Sequence, residues 1–200
     1  METREEILHQ TFELTMKYGI RSVSMDDIAN GLGMSKKTIY QHFENKKHLI
    51  REMVSATIEK DEAEIKSLIA ESNSAIDEIV AIARHTLQFL RGMSPTIVFD
   101  MKKYYGKEWD LVEQHHYSFF YSIIKANINR GKKEGMYKDD VNADIIAKLF
   151  ADMTNCIADE DMFPLRDYKR DELYKALITY HIRGLVSDKG REIVQSIDLD

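Results

Sequence analysis

Apolar residues recur along this chain at intervals of three and four, and no clear run alternates apolar with polar. That spacing marks helices packed on one face, since a helix turns once in roughly 3.6 residues. Ile7, Leu8, Phe12 and Met16 form the inner face of a first helix. A Thr3-x-x-Glu6 capping box opens it and Gly19 closes it near Tyr18. A second box, Ser24-x-x-Asp27, opens a short helix with Met25, Ile28, Ala29 and Leu32 inward and Gly33 as its stop. Ser35 caps a third helix. Asn45 caps a fourth that carries Leu49, Ile50, Met53, Val54, Ile58, Ile65, Leu68 and Ile69 and meets no stop before Glu71.

Further helices are expected from Ala75 to Arg91, from Ser94-Pro95 to Tyr105, from Glu108 to Glu134, from Asn142 to Ala158 and from Lys169 to Leu185. The tail after Ser187 is expected to fray. The fold class is therefore all-α, with about nine helices. Scarce glycine (9) and proline (2) agree with it. The apolar stretches are too short to span a membrane. METREEILHQ lacks the basic and apolar regions of a secretory signal. Cys156 is the only cysteine, so neither an internal disulfide nor a cysteine-based zinc site can form, and a cytoplasmic location is the expectation.

The net charge of −6 argues mildly against an indiscriminate nucleic-acid coat, but its distribution is uneven. Residues 1–50 are neutral, with seven basic and seven acidic groups, so the remainder carries the whole excess. Between Gly33 and Arg51, Lys36, Lys37, Lys46, Lys47 and Arg51 face one acid, Glu44. Two lysine pairs thus follow helix caps, where the helix dipole favours anions rather than cations. Lysines are common surface residues, and a pair near an exposed cap costs only a few tenths of a kcal/mol, about 0.3–1. Both pairs, however, flank a helix-turn-helix pattern, in which Ala29 permits close crossing and Ile39 and Phe43 pin the third helix inward. Lys36, Lys37, Thr38, Tyr40, Gln41 and His42 remain on or near its outer face. The phosphates of a duplex would sit at these helix starts, paired with dipole and lysines alike.

The run SMDDIANGLGMSKKTIYQHFENKKHL resembles the DNA-binding domain of the TetR family of bacterial transcriptional repressors. The likeness runs from Ile7 to Ile50, with Tyr-x-His-Phe and then Asn-Lys before a long helix as its most specific motif. It implies a helix-turn-helix domain at residues 1–48 and a helical ligand-binding and dimerisation domain at 49–200. It further implies that Ser24 and the backbone at Met25 contact phosphate, and that Lys36, Lys37, Thr38 and Gln41 face base edges or nearby phosphates. Tyr40 and His42 would clamp phosphates, and Lys46 would neutralise one, with Lys47 a further candidate. Many members carry a small or apolar residue where this chain has Lys37, so the operator sequence does not follow.

In the last expected helix, Leu173, Ala176, Leu177, Tyr180 and Gly184 form one stripe, and Tyr174, Ile178, Ile182 and Leu185 a second. A helix apolar on two sides needs two partners. In the preceding helix Ala143, Ala147, Ala151, Thr154 and Ala158 line one side, while Ile145, Leu149, Met153 and Cys156 lie on others. A homodimer through these two helices of each subunit is the economical reading, the other being that both stripes are internal. A two-fold dimer would set recognition helices on half-sites about 34–36 Å apart and demand a near-palindromic operator.

By the same resemblance an unknown small-molecule inducer occupies the aromatic-rich middle helices, with Phe89, Met93, Tyr105, Phe120, Phe150 and Met153 as candidate contacts. Such residues at helical spacing also serve as plain core. His115-His116 do not make a metal pair, since adjacent helical side chains diverge by about 100°. Asp159-Glu160-Asp161 reads as solvated surface, and no metal or cofactor is expected. No glycine-rich phosphate loop, nucleophile elbow, HExxH or matched carboxylate pair points to an enzyme. The expectation is a ligand-responsive transcriptional regulator, a repressor released by its inducer. The alternative is an all-helical interaction or small-molecule-binding protein without DNA binding.

Overall fold

A computed structural model describes residues 2–195, and ten helices account for most of them. They are α1 (Glu2–Tyr18), α2 (Met25–Gly31), α3 (Lys36–His42), α4 (Lys46–Glu71), α5 (Ala75–Gly92), α6 (Ile97–Tyr104), α7 (Gly106–Lys133), α8 (Ala143–Cys156), α9 (Arg170–Leu185) and α10 (Asp188–Val194). They fall into two compact units, one of residues 1–63 and 92–112, the other of 64–91 and 113–200.

Caps and glycines set most boundaries in the first unit. Gly19 ends α1 with φ +83°, a conformation costly for a residue with a Cβ. The second box forms as its sequence requires: Ser24 Oγ accepts from Asp27 N–H at 3.1 Å, and Asp27 Oδ2 accepts from Ser24 N–H at 2.7 Å. After α2 the N–H groups of Gly33 and Met34 donate to the carbonyls of Asn30 and Ala29, and Gly33 takes φ +63°. This is a Schellman closure, which turns the chain into α3. Thr3 does not cap α1, which already includes Glu2. Pro95 lies in the turn before α6 rather than in its first helical position, and Gly106 begins α7 instead of separating two helices.

Ile7, Ile20, Ile28, Ile39, Phe43, Leu49 and Ile50 are each no more than 1% exposed, so the head has a core of its own. The second unit buries Ile76, Ile79 and Ala83 of α5, Ile124 and Ile128 of α7, Phe150 of α8, and Ile178 and Ile182 of α9 in a single cluster. Among these lies a polar hub. Buried Glu78 takes Arg130 Nη1 at 2.8 Å and Asn127 Nδ2 at 3.0 Å, while Tyr137 OH donates to Asn127 Oδ1 at 3.0 Å. Glu134 Oε2 accepts the Ala75 N–H at 2.8 Å, satisfying a free donor at the start of α5. Gly131 is required by this packing, since a Cβ there would fall 2.2 Å from the Tyr137 ring.

The expected fraying after Ser187 is corrected. Ser187 caps α10, and its N–H donates to Met136 O at 2.9 Å, so residues 188–194 are fastened to the α7–α8 connection. Only the last residues of that tail, 196–200, lie outside the described part. No described helix is long and apolar enough to cross a membrane.

Candidate nucleic-acid interface

Helix α3 is anchored from below and open above. Ile39 (0%) and Phe43 (1%) are buried, whereas Lys36, Lys37, Tyr40, Gln41 and His42 are exposed and Thr38 is half-buried. Buried positions 39 and 43 are a helical turn apart, so the intervening residues are turned outward. Ser35 Oγ accepts the Thr38 N–H at 3.1 Å and lies 2.9 Å from the Thr38 hydroxyl, which fixes that side chain beside the cap. Ser24 is exposed at the start of α2, while the Met25 side chain is buried and offers only its backbone.

The cations of this surface are in different states. Lys36 Nζ donates to Asp26 Oδ2 at 2.8 Å across an exposed pair, and that hydrogen bond raises its pKa. Such a pair is easily exchanged for another anion. Lys37 and Lys47 are exposed. Lys46 turns inward: its ammonium donates to Ile20 O at 2.6 Å and also to Val23 O. Burial lowers its pKa, and the Asp100 and Asp27 charges work against that. It therefore staples the α1–α2 loop to the start of α4, leaving a further N–H for an outside acceptor. At the same start, Asn45 Oδ1 accepts the His48 N–H at 2.9 Å, as a cap should.

The contacts that hold α6 to this head had no local signature in the sequence. Asp100, 5% exposed, accepts the Arg21 N–H at 2.9 Å, and Arg21 Nη1 donates to Tyr104 OH at 2.7 Å. Ser94 N–H donates to Met16 O at 2.6 Å. Gly19 is needed here twice over, because a Cβ would sit 2.4 Å from Thr96 Oγ1.

The residues expected to line a ligand site are distributed over both units. Phe120 lies in a small cluster with Ile65, Ile82 and Ile123, its ring 4.4 Å from His116. Phe150 is fully buried in the larger cluster, 4.4 Å from the His181 ring. Phe89 and Met153 are each 37% exposed, and Met93 and Tyr105, half-buried, belong to the first unit. His181, which the sequence did not single out, is buried with Nε2 unpartnered among the described residues, and burial pulls its pKa down to about 4. No group of three His, Cys, Asp or Glu side chains among the described residues could hold a metal ion.

A short helix locked by two buried residues, presenting lysines, tyrosine, glutamine and histidine at the end of a helix-turn-helix, defines a DNA-binding regulator. Residues 7–53 match the model of the bacterial regulatory proteins of the tetR family. The chain is 24% identical over 191 residues to the uncharacterized HTH-type transcriptional regulator YvaF of Bacillus subtilis (strain 168), covering 92% of this chain and 96% of that protein. It is 19% identical over 158 residues to the HTH-type transcriptional repressor KstR2 of Mycobacterium tuberculosis, covering 76% and 77%. In fold it is similar to a transcriptional regulator from Saccharomonospora viridis in complex with choline, with TM-score 0.72, 22% identity and coverage of 93% and 98%. A transcriptional regulator from Cytophaga hutchinsonii gives TM-score 0.73 at 15% identity, covering 94% and 100%. Residues 7–53 are thus a DNA-binding domain of the tetR type, and the chain over most of its length is similar to HTH-type transcriptional regulators.

Proposed function

We propose that the protein acts in the cytoplasm as a homodimeric repressor that grips a near-palindromic operator with α3 and leaves it when a small molecule binds. The observation that carries this reading is the outer face of α3, where Lys37, Tyr40, Gln41 and His42 are exposed together above buried Ile39 and Phe43. Lys36, released from Asp26, and the Ser24 cap would add phosphate contacts. In this division of labour residues 1–48 read DNA, and residues 49–200 dimerise and bind ligand.

The outward faces of α8 and α9 support the dimer. On α9 the stripe of Tyr174, Ile178, Ile182 and Leu185 is buried within the subunit, and the other is divided: Leu173 and Leu177 are half-buried against the same core, while Tyr180 is 74% exposed, with Ala176 and Gly184 exposed beside it. A groove of about 500 Å³ runs there, lined by Glu172, Lys175, Ala176, Thr179, Tyr180 and Arg183. On α8 the small residues Ala147, Ala151 and Thr154 face inward, so the outward side is made of Ile145 (54%), Leu149 (51%) and Met153 (37%). Large apolar side chains left in solvent on neighbouring helices mark an association surface. The dimer would thus be sealed by large side chains rather than by alanines.

Ligand response rests on the scaffold. The Saccharomonospora regulator of this fold holds choline, and KstR2 is named a ketosteroid regulator. Helix α4 runs unbroken from Lys46 at the head to Glu71, and α6 is bonded to the α1–α2 loop through Asp100 and Arg21. A ligand that moves either helix would change the half-site spacing. By linkage, operator must weaken ligand binding by the factor with which ligand weakens operator binding.

The dimer is tested by Leu149→Asp/Tyr180→Asp. Sedimentation should show monomers, and affinity for a palindromic operator should fall by on the order of 100-fold as bivalence is lost. A monomeric variant that keeps full operator affinity would remove the dimer from the reading. The DNA reading itself is tested by a gel shift on the region upstream of the chain's own coding sequence, where salt-sensitive retention is expected.

A further inference from the structure

Glu108, in the first turn of α7, is 3% exposed, and its Oε2 meets no hydrogen-bond donor among the described residues. A buried ionised carboxylate is costly unless something pairs with it. The positive end of the α7 dipole favours the charge at this position but supplies no partner. The neighbourhood deepens the need for a cation. Asp100 is also buried, at 5% exposure, with Oδ2 accepting the Arg21 N–H at 2.9 Å. Tyr105 shares the field of both acids: its pKa is raised by burial and then by the Asp100 and Glu108 charges. Lys46 interacts with Asp100 electrostatically, but its ammonium is held by the carbonyls of Ile20 and Val23.

Aromatic rings that neighbour these acids along the chain already hold cations. Lys102 lies 5.2 Å from the Trp109 ring centre, Lys103 lies 5.0 Å from that of Phe99, and Arg21 lies 5.1 Å from that of Tyr104. The half-buried Tyr105 ring has no such cation among the described residues. A ring face together with a carboxylate is the combination that recognises an organic ammonium group. A metal dication would require several oxygen or nitrogen ligands, and no such group of three side chains is present among the described residues.

We propose that Glu108 and Tyr105 receive the positively charged head of a small organic cation, an alkyl- or aryl-substituted ammonium, as the effector of this regulator. The proposal rests on the ligand-responsive reading above and gives its ligand a chemical class. An anionic effector would be repelled by the two buried acids, and a neutral one would leave Glu108 as it stands.

The test uses the full-length protein and isothermal titration with benzyltrimethylammonium and its uncharged carbon analogue, neopentylbenzene. The cation is expected to bind saturably and at least tenfold more tightly than the analogue. Glu108→Gln, which keeps the shape and removes the charge, should lose at least tenfold for the cation and nothing for the analogue. Tyr105→Leu should weaken the cation by severalfold and provides a second reading should Glu108→Gln fail to fold. Equal affinity of the two probes for the wild type, or of the cation for wild type and folded Glu108→Gln, would overturn the proposal. Operator binding by the same wild-type preparation separates the failures. DNA binding without cation preference sinks only this inference, whereas cation preference without DNA binding sinks the repressor and leaves the cation site standing.

Discussion

The starts of α3 and α4 are nearly the same in sequence, Ser35-Lys36-Lys37 and Asn45-Lys46-Lys47, and the fold uses them differently. At α3 the first lysine lies on the surface against Asp26, and the second is exposed beside Tyr40 and Gln41. At α4 the first lysine turns into the protein and binds the carbonyls of Ile20 and Val23. Both sites put a cation where the helix dipole disfavours it. At α3 Asp26 offsets the first lysine, and in the proposed reading the phosphates of a duplex offset the second. At α4 much of it comes from the chain itself, as backbone carbonyls. The same residue type at the same helical position is thus a surface group in one place and a structural staple in the other.

The largest effect expected from this contrast is at Lys46. Lys46→Met keeps the stem and removes the donors, leaving two carbonyls of buried residues short of their partner. It should cost about 2 kcal/mol of unfolding free energy in a denaturant titration. A variant as stable as the wild type would show that the staple carries no weight. The caps come next. Ser35→Ala removes the acceptor for the Thr38 N–H and should cost about 1 kcal/mol, and Asn45→Ala should cost a similar amount by freeing the His48 N–H. Their outcomes on DNA should diverge. Ser35→Ala loosens the helix proposed to meet the duplex and should weaken operator binding beyond its effect on stability. Asn45→Ala should act on stability alone.

What could be read in the sequence follows the range of the interactions. Ser24-x-x-Asp27, Ser35, Asn45 and Asn142 cap helices where the residues themselves announce it, because a cap is made within three residues of chain. Gly19 and Gly33 take positive φ where helix stops were expected. The apolar face of α3 was equally plain, since Ile39 and Phe43 are spaced for it. The destination of Lys46 was not legible, because its acceptors lie 26 and 23 residues away. Helix α10 was missed for the same reason: it is held by Met136 and Gly135, not by any periodic stripe of its own. On α8 periodicity separated the faces but could not say which was inward, and Ala147 and Phe150 turned out to face the core. Core placement was not legible either where residues read alike, since Phe120 and Phe150 look equivalent in sequence and lie in different clusters.

The most direct measurement is the salt dependence of duplex binding, followed by fluorescence anisotropy for the wild type and Lys37→Ala. Affinity should fall linearly on logarithmic axes as salt rises. Lys37→Ala should flatten the slope by roughly 0.9 for each recognition helix engaged, with no change in thermal stability. An unchanged slope, or a wild-type protein with no salt-sensitive affinity for any duplex, would contradict the assignment of the exposed α3 face to DNA.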